Sequence, residues 1–144
     1  MTDENQQGMD RLIESFDQDL RGEREGVYAE DVVVSDWMNP GKDLKGKGSQ
    51  MSEFIAPILE SFPDVHFEVT DTMRDGNRLL VCGFFNGTME KDYWGFPAHG
   101  RRVRWEARDL YQFKDGKIDR IWYANDTLTV ARQLGADISD DRLW

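Results

Sequence analysis

The sequence predicts an α+β fold, with helices packed on one face of a curved, mostly antiparallel sheet. Three observations carry this. Helical periodicity comes first, in Met9, Leu12, Ile13, Phe16 and Leu20, then in Met51, Phe54, Ile55, Ile58, Leu59 and Phe62. Long β-rich stretches follow. Two of their junctions carry hairpin chemistry, Asp75-Gly76-Asn77 and Asp115-Gly116.

Each element has its own local reason. Residues 1–8 are polar and acidic and read as a loose tail. Met9 to Leu20 has an apolar stripe opposite charged positions, an amphipathic helix. Residues 24–31 read as a short helix or turn, and the β-branched run Val32-Val33-Val34 as a strand. Residues 38–48 hold Pro40 and three glycines, which is loop chemistry. Ser49 is placed to cap the second helix, and Pro57 should disturb it. Residues 64–74, 78–90, 101–114 and 117–125 read as four strands forming two hairpins. Thr127 to Gln133 is a last short helix, with Gly135 as its stop.

The chain has 144 residues, enough for one domain with a real core, and a formal net charge of −10. That charge repels phosphate backbones and anionic lipid faces, so neither nucleic acid nor a membrane is an expected partner. The N-terminus lacks the basic and apolar regions of a signal peptide, and no apolar run approaches a membrane span. A soluble cytoplasmic protein is the expectation. The single Cys82 excludes an internal disulfide and reads as a buried thiol. Gly41 to Gly48 nearly matches a phosphate-binding loop, but Gly48 stands where a hydroxyl must hold magnesium. His66 and His99 stand alone, so no metal site is expected.

The second hairpin is the informative part. Along residues 105–113 the odd positions are Trp105, Ala107, Asp109, Tyr111 and Phe113, an inner face with one charge in it. A two-residue turn at Asp115-Gly116 pairs Lys114 with Lys117. Uninterrupted pairing then sets Asp109 opposite Trp122 and brings Asp126 opposite Trp105, on the same face as Asp109. A bulge would shift the register by one and spoil that parity. From spacing alone two readings of Asp126 stand, an acid in a pocket or the N-cap of the last helix. Asp109 likewise reads as a pocket carboxylate or as an ion-pair partner of Arg120.

Several stretches together resemble the SnoaL-like polyketide cyclases of the NTF2-like superfamily. They are Asp36 to Gly41, Ser61 to Val69, Asn86 to Val103, Tyr111 to Ile118 and Trp122 to Gly135. The Asp126…Gln133-Leu134-Gly135 pattern is the most specific. The resemblance covers residues 9–135 and implies one NTF2-like domain over 9–144: a cone-shaped α+β barrel with a deep apolar pocket, commonly dimeric. It implies intramolecular aldol ring closure of a polyketide ester without cofactor or metal. It assigns the general acid/base to Asp126, the inward polar position of the preceding strand, often His, to Asp109, and an aromatic pocket position to Phe16. Phe54 stands where cyclases can carry a polar residue.

The chemistry suits these residue types. A proton removed between two carbonyls leaves a delocalised enolate, so the protein needs one base, a shaped pocket and water exclusion. Burial disfavours a charged carboxylate and makes it a stronger base. Trp105, Tyr111, Phe113 and Trp122 are expected to stack on a flat, apolar, carbonyl-bearing ligand. Trp37, Asn39, Trp94, Phe96 and His99 are expected at the pocket mouth. Leu110, Ile121 and Tyr123 fall on the outer face, where a homodimer would form. The alternatives are a hydrolase, dehydratase or hydroxylase on the same scaffold, and a non-catalytic binding protein whose pocket is filled by side chains.

Overall fold

The computed structural model describes residues 2–17, 24–36, 41–93 and 96–135. Helix α1 spans Asp3–Asp17 and a short α2 spans Arg24–Val27. Strand β1, Tyr28–Asp36, and the two-residue β2, Leu44–Lys45, follow. A continuous helical stretch then runs through α3 (Lys47–Ser49), a π-helical segment (Gln50–Ile55) and α4 (Ala56–Ser61). Strands β3 (His66–Asp75), β4 (Arg78–Thr88), β5 (Arg102–Lys114) and β6 (Lys117–Tyr123) come next, and α5 (Thr127–Gln133) closes the described chain. The strands form one curled, unclosed sheet in the order β2-β1-β6-β5-β4-β3. All neighbours are antiparallel except β1 and β6, which are parallel. No helix among the described residues is long and apolar enough to cross a membrane.

Alternation along the strands gives the sheet two different faces. Val81, Gly83 and Phe85 of β4 pair with Asp109, Ala107 and Trp105 of β5, on the inner face. Met9, Leu12 and Phe16 of α1 bury against that face in the main core. A second core at the other end gathers Ile58, Phe62, Trp105, Val130 and Leu134 under α4 and α5. The outer face carries Leu80, Cys82, Phe84, Leu110 and Trp122, all half-buried, among arginines and glutamates. Cys82 is therefore not the fully buried thiol that its apolar surroundings suggest.

The helix begins earlier than its apolar stripe predicts. Residues 3–8 form the first turns of α1 rather than a loose tail. The reason is a docking contact with the β5–β6 turn, where Asp115 and Gly116 both have positive φ, 52° and 77°. Such a turn leaves the Gly116 N–H free to donate to Asn5 Oδ1 at 2.9 Å. Arg11 in turn donates to the Gly116 carbonyl at 3.2 Å. Gly8 makes the approach possible, because a Cβ there would lie 2.4 Å from the Gly116 carbonyl oxygen. Gly8→Ala should therefore destabilise the protein by about 1–3 kcal/mol despite its better helix propensity, since backbone must move. A urea melt of the variant checks this, and unchanged or increased stability would contradict it.

Candidate functional site

The site is organised by one irregularity in the β5–β6 pairing. Lys114 pairs with Lys117 and Phe113 with Ile118, as the two-residue turn requires. Gln112 then pairs with Arg120, not Asp119. Asp119 is an extra residue, held by a hydrogen bond from Gln112 Nε2 to its Oδ1 at 3.3 Å. Beyond it every β6 side chain changes face. Ile121 and Tyr123 turn inward and are buried, while Trp122 turns outward. The expectation that Trp122 lies opposite Asp109 on the inner face is thus corrected, as is the placement of Ile121 and Tyr123 outside. Trp122 sits on the outer face with the guanidinium of Arg120 5.1 Å from its ring centroid.

The same shift decides the two carboxylates. Asp109 stays on the inner face of β5, only 3% exposed. Its Oδ1 accepts a hydrogen bond from the Ala124 N–H at 3.1 Å, which ties it to the end of β6. Arg120, its alternative ion-pair partner in the sequence, faces the other way and pairs with Asp43 at 3.3 Å. Asp126 comes out exposed, on the opposite face from Asp109. Its backbone N–H donates to the Glu106 carbonyl, and its side chain borders a shallow surface depression with Glu106, Arg108, Ala124 and Asn125. The inward position belongs instead to Asn125, whose Oδ1 accepts from Trp105 Nε1 at 3.1 Å.

Asp126 caps α5. Its Oδ1 accepts from the Thr129 N–H at 3.1 Å and its Oδ2 from the Thr129 hydroxyl at 2.6 Å. These hydrogen bonds, the hydroxyl's first, hold the carboxyl below the usual carboxylate range, with Arg132 adding to them against a small opposing effect of burial.

Among the described residues, Asp109 is the one charged residue lining a small cavity of about 30 Å³. Its walls are Phe16, Phe54, Ile55, Ile58, Leu59, Phe85, Tyr111 and Tyr123. Tyr123 is fixed from behind, since Gln50 Nε2 donates to its hydroxyl oxygen at 2.6 Å and Gln50 is fully buried. Phe54 stacks on Tyr123 with centroids 4.1 Å apart and planes 3° apart. On the far side of Phe54 lies an open cleft of about 510 Å³. It is bordered by Asp36, Lys42, Leu44, Glu53, Pro57, Glu60, Ser61, Lys91, Asp92 and Tyr93 as well as Phe54. Burial, reinforced by the Asp36 carboxylate, pushes the Tyr93 phenol well up, so it stays protonated at neutral pH.

Of the residues singled out from the sequence, Asp109, Phe16, Phe54 and Tyr111 come together at the cavity. Trp105 is one layer away, stacked on Phe85 at 5.0 Å in the second core. Phe113 is buried at the α1 end of the sheet, in the main core rather than in the cavity wall. Phe96 packs at the edge of the second core. His99 lies in the β4–β5 connection and accepts from the Arg101 N–H through Nδ1, away from the cavity. Trp37, Asn39 and Trp94 lie outside the described residues. Tyr123, Asn125 and Gln50 were not picked out. A signal for the first two was present: Ile118 and Ile121 are three apart, and both can face the core only if the strand bulges between them.

The chain matches the SnoaL-like polyketide cyclase family over residues 4–134. Among solved structures it resembles a SnoaL-like protein of Jannaschia sp. CCS1, with 21% identity, 95% of this chain and 97% of that one covered, and a TM-score of 0.80. A SnoaL-like polyketide cyclase of Agrobacterium tumefaciens shares 26% identity over 94% of this chain and 100% of its own, with a TM-score of 0.68. A phenazine biosynthesis-related protein of Pseudomonas aeruginosa shares 17% identity over 95% and 90%, with a TM-score of 0.76. No curated protein matches the sequence.

The cap makes a separable prediction about Asp126. Asn caps about as well as Asp, so Asp126→Asn should leave stability at neutral pH nearly unchanged, whereas Asp126→Ala should cost about 1 kcal/mol. A carboxyl with a lowered native pKa stabilises fully above its unfolded pKa of about 4 and loses that contribution as pH falls through the native value. Wild type should therefore lose stability relative to Asp126→Asn on acidification below about pH 4. Melting curves of the three proteins from neutral to acidic pH check both statements.

Proposed function

The chain belongs to the SnoaL-like polyketide cyclase family, and on that premise we propose that it is an acid/base enzyme, needing no cofactor, that uses Asp109 on a flat, apolar carbonyl compound. The observation that carries this is a carboxylate buried among aromatic and aliphatic walls, with one oxygen held by a backbone N–H. Burial disfavours the ionised form of a carboxyl and strengthens it as a base. Asp109 removes a proton from the carbon beside a carbonyl. The enolate's electron pair attacks a second carbonyl of the same molecule, closing a carbon–carbon bond. Protonated Asp109 then returns its proton to the resulting alkoxide. The substrate delocalises most of the charge, so an apolar chamber that excludes water suffices. In this reading Asp126 is spent on the α5 cap.

A non-catalytic binding protein is the second reading, and two observations favour it. The cavity beside Asp109 holds about 30 Å³, and Asp126 is committed to capping. The two readings part on proton transfer. Wild type should accelerate solvent-deuterium exchange at the carbon beside the carbonyl of an aryl ketone such as α-tetralone. Asp109→Asn, near-isosteric but unable to take up a proton, should lower that rate by on the order of a hundredfold. Asp126→Asn should keep it. Exchange unaffected by Asp109→Asn removes Asp109 from the chemistry. Ligand binding without exchange in wild type leaves the binding reading.

We also propose a homodimer through the outer sheet face. With the register corrected, its apolar members are Leu80, Phe84, Leu110 and Trp122, not Ile121 or Tyr123. Trp122→Glu should convert the dimer to monomer in sedimentation at micromolar concentration. A wild-type monomer under the same conditions ends this idea.

A further inference from the structure

The small cavity and the large cleft meet at a single side chain. Among the described residues Phe54 alone borders both the space of about 30 Å³ beside Asp109 and the cleft of about 510 Å³ outside it. The volumes differ in what they admit. The first has room for about one water molecule, whereas the second is of the size that takes a small organic ligand. Between the cleft and Asp109 stands the Phe54 ring, stacked on Tyr123.

The two rings are not held alike. Tyr123 lies in the sheet, tied by Gln50 and set edge-on to Tyr111 at 6.3 Å. Phe54 is half-buried and rides on the π-helical segment Gln50–Ile55. That segment begins shortly after Gly46 and Gly48 and is followed, after Ala56, by Pro57, which has no N–H to donate back into the helix. A π-helical turn is the less stable helical winding and recurs where a helix serves a site.

We propose that Phe54 is the specificity-determining partition of this site. A ligand enters by the charged cleft, the Phe54 ring leaves Tyr123, and a flat conjugated ring of the ligand takes its place in the stack. The ligand class follows: a planar ring system small enough to replace one phenyl ring, bearing a polar end that stays in the cleft, where Lys42 and Lys91 stand among Asp36, Glu53, Glu60 and Asp92. The inference rests on the reading that the Asp109 cavity is where the ligand is used.

Acetophenone, a flat single-ring aryl ketone, is the probe, titrated against the full chain by stopped-flow tryptophan fluorescence. Removing the partition removes the population cost of the closed state. Phe54→Ala and Phe54→Leu should therefore bind about tenfold tighter and associate faster. Phe54→Trp should bind more weakly. Phe54→Leu keeps an apolar side chain but has no ring to stack on Tyr123, so it carries the test if the alanine variant does not fold. Folded Ala or Leu variants with unchanged or weaker binding overturn the proposal. The same titrations in an Asp109→Asn background separate it from the acid/base reading. A Phe54 effect that persists there while wild type shows no ketone exchange keeps the partition and loses the base. Ketone exchange that depends on Asp109 with binding insensitive to Phe54 does the reverse.

Discussion

An extra residue at Asp119 in the pairing of β5 with β6 governs the rest of the site. Side chains alternate along a strand, so one inserted residue exchanges the faces of everything beyond it. Ile118 and Ile121 both reach the core because of it, at a spacing that a regular strand forbids. Tyr123 follows them inward and becomes a wall of the Asp109 cavity, while Trp122 turns to the outer face. The same exchange carries past the end of the strand, so that Asn125 meets Trp105 and Asp126 is exposed. The pairing on the other side of β5 shows no such irregularity, and the inner face of β4 and β5 stays in phase over its whole length.

That leaves one carboxylate inside and one outside, with different physical work. Asp109 has been taken out of water, and the Ala124 N–H, contributed by the end of β6, is one of the groups that compensate it. Asp126 is solvated and locally bonded to Thr129, which favours its charged form. Apolar walls surround the first, whereas the hydrogen bonds from Thr129 hold the second below the usual carboxylate range. The cap and Arg132 complement opposite ends of α5.

The helical stretch from Lys47 to Ser61 completes the chamber from the side opposite the sheet. Pro57 interrupts its hydrogen-bond ladder, as expected of a proline there, but the interruption is taken up as a π-helical turn rather than a simple bend. The winding presents Phe54 to Tyr123 and sends Gln50 beneath it. The sheet thus supplies the fixed wall and the carboxylate, and the least regular helix supplies the side that meets solvent.

The order of helices and strands, both hairpin turns, the inner face of β5 with Asp109 in it, and the closing helix were all legible along the chain. Each rests on periodicity, turn chemistry or capping, which act between residues close in sequence. Hydrophobic spacing also carried a trace of the bulge in Ile118 and Ile121, though not its consequence. What the chain alone did not determine was the face on which Trp122, Tyr123 and Asp126 lie, or the docking of residues 3–8 against the Gly116 turn. It did not reveal either that Phe54 borders both the space beside Asp109 and the cleft. These were decided by tertiary structure, for one physical reason. Register and packing are settled by which apolar groups leave water together across the sheet, and a single residue's slip between strands far apart in the chain reverses the outcome while leaving every local preference satisfied.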